Sequence, residues 1–168
     1  LLRAGASLIV TTRFPRDSAA RYAEEPDFGE WGHRLEVFGL DLRHTPSVEA
    51  FCQQLVATRE RLDFIVNNAC QTVRRPPEFY AHMMEAETAA LRDTPQDVRK
   101  LLGSYEGLRS YNMLPDANAS AMQVAIGGIS ETAGLTRPAE LSQVPLLAEE
   151  LLGQQHLFPD GRHDPGLQ

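Results

Sequence analysis

The sequence predicts an α/β fold in which parallel strands are joined by helical crossovers. Three short apolar runs, each typical of a buried strand, alternate with two segments of helical pattern in the first part of the chain. The chain has 168 residues, with 42% hydrophobic and 23% charged residues, which is the composition of a folded domain with a sizeable core.

Charge and composition exclude several classes of function. The formal net charge of -7 argues against nucleic acid as the partner, because a phosphate-binding domain needs a basic face. No uninterrupted apolar run approaches the roughly 18 residues of a membrane span, and no signal peptide is visible. Cys52 and Cys70 lack metal-ligand spacing, and such low cysteine use is typical of a reduced compartment. We therefore expect a cytoplasmic protein that binds neither nucleic acid nor membrane and holds no metal.

The first residues have the pattern of a helix end. Residues 1–5 read as a last helical turn that is closed by Gly5 at the C′ position. Because a domain rarely begins at the end of a helix, we expect this chain to be a fragment of a longer protein.

The first two strands and the helix between them follow directly. The β-branched run Leu8–Thr12 predicts a buried strand. A helix is predicted over 17–25, with Asp17 as its N-cap and its end before Pro26. The apolar run 35–40 predicts the second strand.

The next helix has the strongest periodic signal in the chain. Thr45 and Pro46 predict its start, as N-cap and first helical residue. The apolar residues that follow recur at the spacing of one helix face. They are Val48, Phe51, Cys52, Leu55, Val56 and Leu62. A third strand is predicted over 64–67.

Beyond residue 73 the pattern changes, so we divide the chain into a partial α/β core over 1–73 and a helical, loop-rich insertion or extension over 74–168. The aromatic and methionine residues between Phe79 and Leu91 predict a helix that packs on the core or acts as a lid or subunit contact. Thr94 and Pro95 predict another helix start. A short helix is predicted over 145–152.

Polar residues follow the strands, and ligands of parallel α/β sheets bind at the carboxyl ends of the strands. The residues at these ends are Thr12, Arg13, Asp41, Leu42, Asn67, Asn68 and Ala69. The two asparagines fit either a simple turn or a ligand-facing strand end.

Three linked motifs resemble the short-chain dehydrogenase/reductase family. The stretches 5–13, 40–42 and 62–69 are similar to its second, third and fourth strands, and the resemblance covers roughly residues 1–73. It implies a Rossmann-type parallel sheet, a nicotinamide dinucleotide, and hydride transfer between the nicotinamide and a small carbonyl or alcohol substrate. It is compatible with a homo-oligomeric parent protein.

The resemblance also implies roles at the strand ends. An acidic residue after the second strand would select NAD, whereas this chain has Thr12 followed by Arg13, whose guanidinium suits the 2′-phosphate of NADP. Asp41 would contact the adenine edge, with Leu42 beside it. The alternative without a ligand is that Asp41 caps a turn and that Arg13 is a solvated loop residue. The run of Asn67, Asn68 and Ala69 matches the Asn-Asn-Ala-Gly motif, and Cys70 departs from its glycine.

The catalytic parts of the family pattern are missing. The chain contains neither the Gly-rich phosphate loop nor Tyr-x-x-x-Lys, and Tyr105 with Arg109 is the nearest imitation. We therefore expect no catalytic residue and an inactive fragment of an NADP-preferring enzyme. The alternatives are a non-catalytic dinucleotide-sensing or scaffold domain and, more remotely, an unrelated α/β module. Without the family's first strand, two strands would expose unpaired edges, which predicts marginal stability.

Overall fold

The computed structural model describes residues 1–69, 77–89, 91–113 and 132–144. This part of the chain is mixed α/β and mostly helical. Its two strands are β1 (Leu8–Thr12) and β2 (Leu35–Gly39). Its α-helices are α1 (Pro15–Ala23), α2 (Phe28–Trp31), α3 (Thr45–Thr58), α4 (Ala81–Thr88), α5 (Gln96–Met113), α6 (Ala133–Thr136) and α7 (Pro138–Ser142). Short 3-10 helices cover Leu2–Ala4, Gly32–Arg34, Pro77–Tyr80 and Leu91–Asp93.

The two strands form a parallel sheet, as their order and the intervening helix predict. Leu8 pairs with Leu35 at one end and Thr12 with Gly39 at the other. The chain passes from β1 to β2 through α1 and α2. Both carboxyl ends therefore lie at the same edge of the sheet, where a ligand site is expected.

The structure confirms the prediction that Gly5 closes the first turn of the chain. Gly5 adopts a left-handed conformation (φ 92°), and its amide donates to the carbonyl oxygen of Leu2. The element that it closes is a 3-10 turn rather than an α-helical turn. A residue with a side chain is strained at such a φ, which is why glycine stands there.

Three predicted boundaries need correction. Helix α1 begins at Pro15 and not after Asp17, because proline suits the first helical position and a carboxylate from elsewhere in the chain supplies the cap. Strand β2 ends at Gly39, one residue early. Helix α3 begins at Thr45, so Thr45 lies inside it and His44 is the N-cap residue, without a side-chain cap bond.

The predicted apolar face of α3 is only partly buried. Phe51 is buried, and Val48 and Leu55 pack at the edge of the core. Cys52 and Val56 are exposed, Val56 to 83%. One side of the helix therefore contacts β2 and its neighbours, while the rest of the predicted face has no partner among the described residues.

The predicted third strand is wrong. Residues 61–69 have no regular secondary structure, and Phe64, Ile65 and Val66 are 86%, 74% and 71% exposed. The apolar run alone does not make a strand, because a strand needs a neighbour to pair with its backbone groups. Among the described residues, the sheet contains only β1 and β2, so no strand pairs with this segment.

Helix α5 covers the sheet. It begins at Gln96, directly after the predicted start at Thr94 and Pro95. Val98, Leu101 and Leu102 are buried, and Tyr105 packs edge-on against Phe38 at 6.3 Å between ring centroids. The predicted helix from Phe79 onward is a 3-10 turn followed by α4. The predicted helix over 145–152 lies outside the described residues. In the described ranges, no helix combines the length and apolarity needed to cross a bilayer.

Candidate functional site

The carboxyl ends of β1 and β2 meet at one edge. The amide of Leu40 donates to the carbonyl oxygen of Thr12 at 2.8 Å, which continues the sheet one residue past β2. The Thr12 hydroxyl accepts from the amide of Phe14 at 3.2 Å and so turns the chain after β1. Arg13 and Asp41, the residues that follow, are thereby brought to the same edge.

Arg13 rests on aromatic rings. Its guanidinium carbon lies 4.8 Å from the ring centroid of Tyr80 and 5.6 Å from that of Phe14. The two rings are stacked at 5.3 Å and both residues are 5% exposed. The half-buried Arg13 makes no hydrogen bond or ion pair with any other residue that the structure describes. Its N–H groups thus have no acceptor among the described residues.

Asp41 is buried, with 1% of its surface exposed. Its carboxylate accepts hydrogen bonds from the amide of Arg43 at 3.0 Å and from the Arg43 guanidinium at 2.5 to 3.1 Å. Burial works to raise the pKa of Asp41, but the hydrogen bonds and charge of Arg43, with the charge of Arg13, outweigh it and hold that pKa below its usual value. Asp41 is ionised at neutral pH, and its charge is matched by Arg43.

A second bond fixes the same turn. The amide of Asp41 donates to the carbonyl oxygen of Gly134 at 2.7 Å, which ties α6 to the end of β2. Gly134 sits so close that a Cβ there would meet the Cβ of His44 at 2.6 Å. The amide and the carboxylate of Asp41 both stabilise the turn after β2. An adenine that contacted this carboxylate would share oxygens that already accept hydrogen bonds from Arg43.

The remaining predicted site residues lie apart from the sheet or at its rim. Leu42 is 52% exposed. Asn67, Asn68 and Ala69 are exposed in the irregular segment and do not follow a strand. Cys70 lies outside the described residues. The structure therefore assembles the Thr12, Arg13 and Asp41 part of the predicted site.

Tyr105 and Arg109 form a structural pair. Tyr105 is 2% exposed, its hydroxyl donates to the carbonyl oxygen of Leu135 at 3.0 Å, and burial raises its pKa well above the ordinary value. Arg109 donates to the carbonyl oxygen of Thr136 at 2.8 Å. Neither group is placed to exchange a proton with a substrate.

A small polar cleft lies between α1, α4, α5 and α7. Arg16 pairs there with Glu106 at 3.1 Å and donates to the carbonyl oxygen of Glu87 at 3.0 Å. Arg109 contacts Glu106 at 3.3 Å. Both arginines thus pair with Glu106, and these contacts join α1 to α5. Within the described ranges, no three His, Cys, Asp or Glu residues are grouped to hold a metal ion.

Tyr80 and Arg43 are the residues of this edge that sequence reasoning missed. Tyr80 was expected in a helix, and its place over Arg13 depends on tertiary structure. Arg43 had a local signal, since an aspartate commonly accepts from the amide two residues later.

Comparison with known proteins gives one partial relationship. A stretch of 78 residues is 33% identical to an uncharacterized protein of Acanthamoeba polyphaga mimivirus, covering 44% of this chain and 17% of that protein. The chain thus matches less than a fifth of that relative's length. No family model matches the chain, and no solved structure does.

Proposed function

We propose that this chain is part of an NADP-dependent oxidoreductase of short-chain dehydrogenase/reductase type. The edge formed by β1 and β2 would be the adenosine side of a Rossmann-type site. The observation that carries the proposal is Arg13, which follows β1 and offers a guanidinium with no described acceptor beside the turn after β2. The stretches 5–13 and 40–42 of the family resemblance lie at this edge.

The charges at this edge suit a phosphate. Asp41 and Arg43 neutralise each other, with their closest atoms 2.5 Å apart. The charge of Arg13 therefore has no full counter-charge, and a guanidinium pairs well with a phosphate in a two-pronged geometry.

The same groups do not suit the free ribose hydroxyl of NAD. That hydroxyl needs a carboxylate acceptor, but Thr12 is not acidic and the carboxylate of Asp41 is committed to Arg43. The residues present thus fit NADP better than NAD.

The part of the chain that the structure describes would bind and orient the cofactor. Thr12 and Arg13 would hold the 2′-phosphate, and Asp41 and Leu42 would border the adenine. Asn67, Asn68 and Ala69, which are exposed in the irregular segment, would approach the nicotinamide side. When bound, NADP supplies or accepts the hydride of a carbonyl–alcohol conversion.

We propose that the chain by itself is inactive, because its sequence contains no Tyr-x-x-x-Lys. The proposal includes a cytoplasmic location. The exposed free thiol of Cys52 supports it, since such thiols persist in a reducing compartment.

The test compares two probes that differ only at the 2′ position, adenosine 2′,5′-bisphosphate and adenosine 5′-monophosphate. We expect the folded chain to bind the bisphosphate about 10-fold more tightly or better, which corresponds to about 1.4 kcal/mol for one charge-assisted contact. The variant Arg13→Ala should lose this preference. Arg92→Ala is the matched control, because the Arg92 side chain is 87% exposed and pairs with the neighbouring Asp93.

Two results would count against the proposal. Equal affinity of the unaltered chain for both probes would exclude a 2′-phosphate site at this edge. A preference that survives Arg13→Ala would place the phosphate elsewhere.

A further inference from the structure

We propose that Tyr80 is a positioning residue that holds Arg13 in the orientation needed to bind a 2′-phosphate. The inference rests on the proposed function and adds to it a part of the chain outside the region of family resemblance. It follows from the stacking of the Arg13 guanidinium over the Tyr80 ring at 4.8 Å.

An arginine at the end of a strand is a poor phosphate ligand unless it is held. Its long side chain loses rotamer freedom when it binds, and that cost weakens the contact. Stacking on an aromatic ring reduces the entropy cost of binding, because it restricts the guanidinium plane before the ligand binds. Arg13 has two such rings, Tyr80 at 4.8 Å and Phe14 at 5.6 Å.

The ring of Tyr80 is itself firmly placed. It stacks on Phe14 at 5.3 Å with planes 29° apart and meets Phe79 edge-on at 5.2 Å. Met83 and Met84 pack against the same cluster, whose buried members are Phe14, Tyr80 and Ala139. The support under Arg13 therefore comes from residues 77–84 as well as from the turn after β1.

This support leaves the binding groups of Arg13 accessible. A ring contacts the face of the guanidinium, whereas the N–H donors lie in its plane and point outward. We therefore expect the ring of Tyr80, not its hydroxyl, to determine how well the 2′-phosphate is bound.

The experiment repeats the two-probe comparison with Tyr80→Phe and Tyr80→Leu. Tyr80→Phe keeps the ring, so its preference for the bisphosphate should stay within about twofold of the unaltered chain. Tyr80→Leu should weaken bisphosphate binding about 3- to 10-fold and leave the monophosphate unchanged, as expected for a cation–π contact. Phe28→Leu is the matched control, because it removes an aromatic ring that packs on Trp31 in the other core cluster, and it should keep the preference.

A second measurement reports on the geometry directly in the unaltered chain. The Nε–Hε resonance of Arg13 in the NMR spectrum should carry the ring-current shift of a stacked guanidinium and lose it in Tyr80→Leu. Absence of that shift in the unaltered chain would overturn the inference, even if Tyr80→Leu failed to fold.

The outcomes separate the two proposals. If Arg13→Ala abolishes the 2′-phosphate preference but Tyr80→Leu does not, the positioning role is wrong and the proposed function stands. If the unaltered chain shows no preference while the Arg13 resonance is shifted, the stacking is real and the proposed function fails.

Discussion

The side chain of Glu87 accepts a hydrogen bond from the backbone amide of Arg16 at 2.8 Å. The same oxygen accepts from the amide of Asp17 at 3.0 Å. These amides lie in the first turn of α1, where helix geometry provides no internal acceptor. Phe14, at the N-cap position, cannot supply one. Glu87 therefore caps α1 from α4 and fixes α4 beside the proposed cofactor edge.

This cap makes stability depend on pH. Burial raises the pKa of Glu87 to about 7, against the opposing effect of the Asp17 and Arg16 amides and the charge of Arg16. The negative charge of Asp17 adds to the rise. Because the folded-state pKa lies above the unfolded value, the contribution is complete below about pH 4.5 and is lost as pH rises through 7.

We predict that Glu87→Gln is more stable than the unaltered chain at pH 8, by about 1–3 kcal/mol, and equally stable at pH 5. Glutamine keeps the acceptor oxygen and removes the buried charge. Urea unfolding at the two pH values measures the difference. Glu85→Gln, at an exposed position of the same helix, should show no such dependence. A Glu87→Gln chain that is less stable at pH 8 would show that the ionised carboxylate is the better cap.

Local signals predicted the elements that depend on neighbouring residues. Gly5 closes the first turn, and the helices after Pro46 and Pro95 begin within a residue of the expected place, because these residues act on their own backbone. The position of Arg13 at the site was predictable for the same reason, since it directly follows a strand.

The rest depends on contacts between distant parts of the chain. The cap from Glu87 and the ring of Tyr80 over Arg13 join segments with no common sequence pattern. The apolar run 64–67 resembles a strand, but pairing decides whether one forms. The sequence therefore predicts the edge where β1 and β2 end better than it predicts what surrounds that edge.

Gly39 has no room for a side chain. A Cβ there would collide with the hydroxyl of Tyr105 and lie 2.9 Å from Cγ of Pro138. Gly39→Ala should therefore destabilise the chain by about 1–3 kcal/mol, in the range of overpacked cores. Thermal or urea unfolding measures it.

Gly107→Ala is the opposite control, because a Cβ at Gly107 in α5 meets nothing within 4 Å. It should stabilise the chain by about 0.5–1 kcal/mol through helix propensity. Equal effects of the two substitutions would show that α5 does not pack on β2 as described.

Asp41 should control stability in acid. Its pKa is lowered in the folded state, so its contribution is present above the unfolded value of 3.8 and is lost as pH falls below it. We predict that Asp41→Asn costs about 1–3 kcal/mol at pH 7, because Arg43 loses its charged partner, and much less at pH 3. Asp63→Asn is the matched control, since its ion pair with Arg61 is 57% exposed on the Asp63 side. A cost for Asp41→Asn that is the same at both pH values would contradict an ionised, paired Asp41.

The exposed run of Phe64, Ile65 and Val66 should make the 168-residue chain associate. Three neighbouring large apolar side chains at 71–86% exposure are a contiguous adhesive surface. Strand β1 also pairs with only β2 among the described strands, which leaves backbone groups on its other edge for a second chain.

Changing Phe64, Ile65 and Val66 to serine should reduce concentration-dependent association in sedimentation velocity and lower the binding of a hydrophobic dye. Val56→Ser, at an isolated exposed position of α3, should change neither. The prediction is wrong if the chain is monomeric and melts cooperatively above about 45 °C, the usual lower range for mesophile domains.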